Sequence, residues 1–263
     1  MPHFASFAWA FFANFAVFRL KSPKFSSFFF TAGKNPYICL LYFAIMPHHI
    51  ITQLLQERNA YEILQEAQEK LAEEAERRLL FYNEITEQEK AEFIMGEIIV
   101  HSPVRIEHNE ATGWLYQLLN IYVQLHKLGK VGIEKILIRL TRNDYEPDIC
   151  FFGKEKTANI KPKQTIFPAP DFVVEVLSDS TEKRDKGIKF LDYAAHQIQE
   201  YWIIDAEEAY VEQYILKNGE YVLFEKKHEG EIESVVIEGF IIPVRAIFDE
   251  EVNTEAIRKL FVL

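Results

Sequence analysis

The sequence predicts an α/β domain preceded by a long helix, and three observations carry this. Residues 50–80 contain no Gly or Pro and are dominated by Gln, Glu, Ala and Leu, which are good helix formers. From Phe81 onward, short apolar runs alternate with segments whose apolar residues recur every three or four positions, the patterns of strands and of amphipathic helices in turn. Residues 1–46 follow neither pattern and change composition abruptly at Met46.

The opening segment is rich in Phe and Ala and carries Arg19, Lys21, Lys24 and Lys34 but no Asp or Glu. Its apolar run from Phe4 to Phe18 falls short of the ~20 residues a spanning helix needs, and no positive region or small-residue cleavage site frames it as a signal. A start of translation at Met46 is one reading; a targeting segment or a tail is another. Across 46–80, Leu54, Tyr61, Leu64, Leu71 and Ala75 fall on a heptad frame that Glu57, Gln68 and Arg78 interrupt. A dimer arm over 50–80 and a helix packed on its own domain both fit.

The domain proper is expected over 81–240. Ala91–Ile94 and Glu97–His101 flank Met95-Gly96 as a hairpin, and Ser102-Pro103 ends its second strand. Leu115, Leu118, Leu119, Tyr122 and Leu125 mark a helix over 107–128. Strands follow at Val131–Leu140 and Asp148–Phe152, with a polar loop from Gly153 to about Pro170. Phe172–Leu177 suits a strand buried on both faces. Glu182–His196 is expected as a helix with Ser180 or Thr181 as N-cap, and Tyr201–Ile204 as another strand. Tyr210–Leu216, Tyr221–Glu225 and Ser234–Ile237 read as a meander turning at Asn218-Gly219, and 241–263 as a C-terminal tail.

Net charge is −11. Nucleic-acid phosphates repel such a chain unless metals or local basic patches intervene, which weighs against a protein that coats DNA non-specifically. The two cysteines, Cys39 and Cys150, lie far apart and form no disulfide framework, as expected of the reducing cytoplasm. No stable membrane partner is expected. Glycine-rich phosphate loops, nucleophile elbows and zinc-spaced Cys/His clusters do not occur.

The strongest chemical signal is Glu175, inside Phe-Val-Val-Glu-Val-Leu. A carboxylate flanked by valines in a buried strand is costly unless paired, protonated or bound to metal. An edge strand with Glu175 in water is the plain alternative, but Val173 and Leu177 share its face. A metal needs a second carboxylate from another element. Asp171, four residues back on the same strand, stands ~13 Å away along it, too far to share an ion. Asp148 opens its own apolar strand and is the better partner, although a turn residue after Pro147 would look the same. Hard oxygen ligands select Mg or Mn. Lys189 lies on a polar stripe with Asp185, Asp192 and His196. By spacing it reaches the metal cluster and a phosphate, or simply pairs with Asp185 at i,i+4 on a wet face.

The stretch PDFVVEVLSDSTEKRDKGIKFLDYAAHQIQEYWIID, together with AEFIMGEIIVHSPVRIEHNEATGWLYQLL and EPDICFF, resembles the Uma-two family of restriction-endonuclease-like proteins common in cyanobacteria, over about residues 81–225. The resemblance implies the PD-(D/E)XK nuclease-like superfamily and a three-layer restriction-endonuclease-like fold with a mixed central sheet. It also implies Asp148 and Glu175 as metal ligands, with Glu97 as a further carboxylate near the site. The superfamily lysine two residues after the glutamate is replaced by Leu177, and Lys189 stands where a lysine displaced onto the next helix would be. The reading is a Mg- or Mn-dependent endonuclease acting on DNA. A non-catalytic nucleic-acid or protein-binding module on the same scaffold is the alternative, and self-association through 50–80 a third.

Overall fold

The computed structural model describes residues 49–86 and 89–261; the readings made for residues 1–46 lie outside them. The described residues divide after Ala67 into two units. In the first unit, residues 49–54 are helical and 55–59 form turns before a second helix, α1 (Ala60–Glu84), begins. The continuous helix expected over 50–80 is therefore broken. The backbone closes in tight turns at Gln56 and Glu57, and the Asn59 carbonyl accepts from Ile63 to start the new helix, a position where Asn is favoured.

In the second unit α1 buries Glu74, Arg78 and Phe81, one helical face at steps of four and three. That is not the heptad face read from sequence, since Leu71 is exposed. Helix α1 is followed by the hairpin β1 (Ala91–Ile94) and β2 (Glu97–Val100). Met95 and Gly96 turn it with φ of 50° and 86°, the positive pair a two-residue type I′ turn requires. Helix α2 (Ile106–His126) leads to β3 (Gly129–Ile133) and β4 (Leu137–Arg139). The single strand expected at 131–140 is thus two, parted by a turn in which Glu134 has φ 57°. Next come β5 (Asp144–Tyr145), β6 (Ile149–Gly153), the one-turn α3 (Lys154–Thr157) and β7 (Ile166–Phe167). The last two lie within the segment read as loop.

Strand β8 (Phe172–Val176) runs into a composite helix of α4 (Glu182–Arg184), a π-helical turn (Asp185–Lys189) and α5 (Phe190–Ala195). The chain then continues through β9 (Glu200–Asp205), β10 (Tyr210–Lys217), β11 (Glu220–Lys227), β12 (Glu231–Glu233), β13 (Ile241–Pro243) and α6 (Glu250–Leu260). Residues 234–237, expected as a strand, are irregular. The Ser234 hydroxyl oxygen accepts from the amides of Val236 and Ile237, so the side chain competes with a ladder for these donors.

Six strands form the central mixed sheet in the order β11-β10-β9-β8-β6-β3, antiparallel except for β8 beside β9. Alternation along its strands separates two cores. Phe172, Val174 and Val176 face a core with Leu115, Leu118 and Leu119 of α2 and Ala256 and Leu260 of α6. The segment expected as a tail therefore closes this layer. Val173, Cys150, Tyr201 and Ile203 face the other way, against Tyr193 and Ala194 of α5 and Ile138 and Tyr145 of a second sheet. That second sheet has the order β2-β1-β5-β4-β7. The result is three layers, α2 and α6, the central sheet, then the composite helix with the second sheet. Each fully buried leucine contributes roughly 1.5–3 kcal/mol.

Candidate active site

Between β5 and β6 the chain passes from the second sheet to the central one through Glu146, Pro147 and Asp148. Functional groups from both sheets meet at this crossing. The β6–β8 ladder pairs Ile149 with Val174, so the same register sets Asp148 opposite Glu175. Directly opposed residues have Cβ atoms roughly 5 Å apart and share a face. Both carboxylates are buried at 3% exposure. Asp148 Oδ2 accepts from the Val176 amide at 2.8 Å, which ties the end of β6 to β8.

Glu175 is held from the composite helix. Lys189 Nζ is 3.0 Å from its Oε1, and the Tyr193 hydroxyl donates to the same atom at 2.7 Å. Lys189 also lies 3.0 Å from Glu92 Oε1 and 3.1 Å from Asp185 Oδ1. Asp185 and Lys189 begin and end the π-helical turn and are four residues apart, a spacing that puts both side chains on the same inward face. Glu92 comes from β1 and faces His101 Nε2 at 3.1 Å. Around Asp148, Lys90 Nζ stands 2.6 Å from Oδ1 and 2.9 Å from Glu134 Oε2, and His108 Nε2 stands 3.3 Å from Oδ2.

Four buried carboxylates, Glu92, Asp148, Glu175 and Asp185, thus share two ammonium groups. Burial alone would raise every acid. At Asp148, Lys90 and His108 overcome it and hold the carboxyl well below its ordinary range. At Glu92, Lys189 and His101 do the same, bringing it to about 2. At Glu175 burial wins over Lys189, with Asp185, Asp148 and Glu92 adding repulsion, and the carboxyl is pushed up to about 8. Asp185 is likewise raised by burial, against Lys189. The cluster is short of positive charge, and the shortage falls on Glu175 and Asp185, the two acids whose carboxyls are raised.

Of the residues singled out from sequence, Asp148, Glu175 and Lys189 come together. Glu97 does not join them. It sits at the exposed tip of the hairpin opposite Ile94, and the inward carboxylate of that hairpin is Glu92. The rule that singled out Glu175, an acid between apolar neighbours in a short strand, applies equally to Ala-Glu92-Phe and would have found it. Lys90, His101 and His108 carry no such signal, because their positions depend on pairing between distant strands.

Among the described residues no three His, Cys, Asp or Glu side chains are grouped as a ready metal site. Magnesium, however, is commonly held through one or two carboxylates, with water and substrate phosphate completing its shell. The opposed, oxygen-only pair of Asp148 and Glu175, in a buried cluster with fewer ammonium groups than carboxylates, fits that requirement.

The model of the family described as "Uma2: Putative restriction endonuclease" matches residues 73–245. The chain belongs to the Uma2 family. Among its relatives is an uncharacterized protein of Synechocystis, sll1609, 30% identical over 128 residues, which are 48% of this chain and 72% of the relative. The fold is shared with the crystal structure of "a putative nuclease belonging to DUF820" from Anabaena variabilis, with a TM-score of 0.53 and 20% identity over 60% of this chain and 89% of that one. In the Uma2 member described here, the matched residues include every group of the buried cluster. None of its described helices is long and apolar enough to cross a membrane.

Proposed function

We propose that this Uma2 protein is a metal-dependent endonuclease that hydrolyses phosphodiester bonds in DNA at the Asp148–Glu175 pair. The observation that carries the reading is the placement of these two acids opposite each other on adjacent strands, in a buried cluster with more carboxylates than ammonium groups. Asp148 and Glu175 would hold Mg or Mn. Such an ion supplies positive charge to the phosphate in the transition state and acidifies the attacking water. The chain's own residues prepare the site. The Val176 amide and His108 fix Asp148, and Tyr193 and Lys189 fix Glu175. Pre-oriented groups of this kind need no reorganisation during reaction.

The test is cleavage of plasmid and single-stranded DNA by the full chain in magnesium or manganese, beside Asp148→Ala and Glu175→Ala. Cleavage abolished by both substitutions is the expected result. A folded parent that binds DNA yet leaves it intact would favour the binding-module reading, and activity surviving both substitutions would remove the assignment of the site.

Self-association through α1 is a second, independent reading, favoured by the exposure of Tyr61, Leu64 and Leu71, a heptad-spaced row with no cover among the described residues. Sedimentation of the parent against Leu64→Glu/Leu71→Glu tests it. A mass that is monomeric and the same for both removes it.

A further inference from the structure

The two lysines of the site are not equivalent, and their geometry divides the labour between them. An ammonium group has three N–H donors. Those of Lys189 face three carboxylates, Glu92, Glu175 and Asp185, at 3.0, 3.0 and 3.1 Å, and its side chain is 1% exposed. It has no donor left and no path to a solvent-borne ligand. Lys90 has two partners. Asp148 at 2.6 Å is buried, but Glu134 at 2.9 Å has a side chain 40% exposed, and Lys90 itself is 19% exposed. An ion pair open to water on one side is weak, so the Glu134 bond exchanges readily for a phosphate oxygen. The third Lys90 donor is committed to no described residue. Glu134 is itself placed by a positive φ of 57° and by its amide donating to the Asp148 carbonyl at 2.9 Å, which sets this pair at the accessible edge of the acid cluster.

We propose that Lys90 is the cation that meets the substrate phosphate, and that Lys189 is an interior counter-ion that positions Glu92, Glu175 and Asp185 without touching substrate. This rests on the nuclease reading for its choice of substrate, but it concerns phosphate contact and so has a test apart from cleavage. Each lysine that neutralises a phosphate on duplex DNA contributes about 0.9 to the slope of log affinity against log salt.

The experiment is DNA affinity of the full chain, measured by fluorescence anisotropy with a labelled duplex in EDTA from roughly 50 to 200 mM salt. The thermal midpoint of each variant is recorded alongside. Lys90→Gln should lower the slope by about one, so that its affinity loss over that range is about 3.5-fold smaller than the parent's. Its midpoint should fall too, because Asp148 loses its 2.6 Å partner, but by less than for Lys189→Met, which leaves three carboxylates without theirs. Lys189→Met should leave the slope as it is and lower the midpoint sharply. If it does not fold, Lys189→Met/Asp185→Asn removes charge and counter-charge together and carries the same comparison. A slope that falls with Lys189 and not with Lys90 overturns the proposal, as does a slope indifferent to Lys90 in a parent that binds DNA. A parent that binds no DNA at low salt in EDTA overturns this assignment, while the nuclease reading stands or falls on cleavage in magnesium or manganese. Binding with the expected slopes but without cleavage overturns only the latter.

Discussion

Arg78 offers the sharpest test of how helix α1 supports the site. Its guanidinium makes a two-pronged pair with Asp144, Nε to Oδ2 and Nη2 to Oδ1, both at 2.6 Å. It also donates to the carbonyls of Thr141, Leu140 and Asn143. Asp144 is wholly buried and stands opposite Phe93 of β1, next to Glu92. Arg78→Met keeps much of the side chain's volume but strands the Asp144 carboxylate with the Tyr82 hydroxyl as its remaining side-chain partner. Removing one member of a buried ion pair costs about 3–5 kcal/mol. For a unit of this size that lowers the thermal midpoint by about 6–20 °C. Calorimetry on the single variants and on Arg78→Met/Asp144→Leu completes a double-mutant cycle. The double variant should recover much of the loss, because two apolar groups replace a pair that was expensive to desolvate, giving a coupling of at least about 2 kcal/mol. A loss below about 1 kcal/mol for Arg78→Met, or additive single losses, would refute the argument that this pair anchors α1 to the second sheet.

Tyr193→Phe removes the donor to Glu175 and leaves the ring stacked edge-on against Tyr145 and Tyr201. It should cost about 1–2 kcal/mol in stability and lower DNA cleavage, and denaturation beside a cleavage assay will show whether both fall. Cleavage should depend on Glu92 far more than on Glu97, since only Glu92 contacts Lys189; equal losses in Glu92→Gln and Glu97→Gln would contradict the geometry. In alkaline titration, burial and the Asp144 carboxylate push Tyr82 up to about 12, and burial and Glu212 do the same for Tyr214. Burial raises Tyr145, Tyr193, Tyr201 and Tyr221 further. The folded chain thus keeps protons that the unfolded chain releases near ~10, so this stabilisation is complete below ~10 and lost as pH rises through ~12. Tyrosinate absorbance should therefore rise in two phases, the second coinciding with loss of the circular dichroism signal; full ionisation before unfolding would speak against these burials.

Several parts of the protein were determined by sequence alone. The hairpin over 91–100, α2, β8, β9 and the β10–β11 hairpin follow from periodicity and from the Met95-Gly96 and Asn218-Gly219 turns, because local backbone preference and one-sided burial act over a few residues. Glu175 was legible for the same reason, since an acid between valines announces a buried charge that needs partners. Tertiary structure decided which partners those are. The opposition of Asp148 and Glu175 comes from the β6–β8 register, and Glu92 enters through a second sheet. Lys90 and His108 arrive from 58 and 40 residues away in the chain. The closing of α6 over the α2 core and the choice of Glu74, Arg78 and Phe81 as the buried face of α1 are likewise non-local. Neither period nor propensity encodes them. They are settled when desolvated charges find counter-charges that the fold has brought within reach, a condition that depends on distance in space and not on distance along the chain.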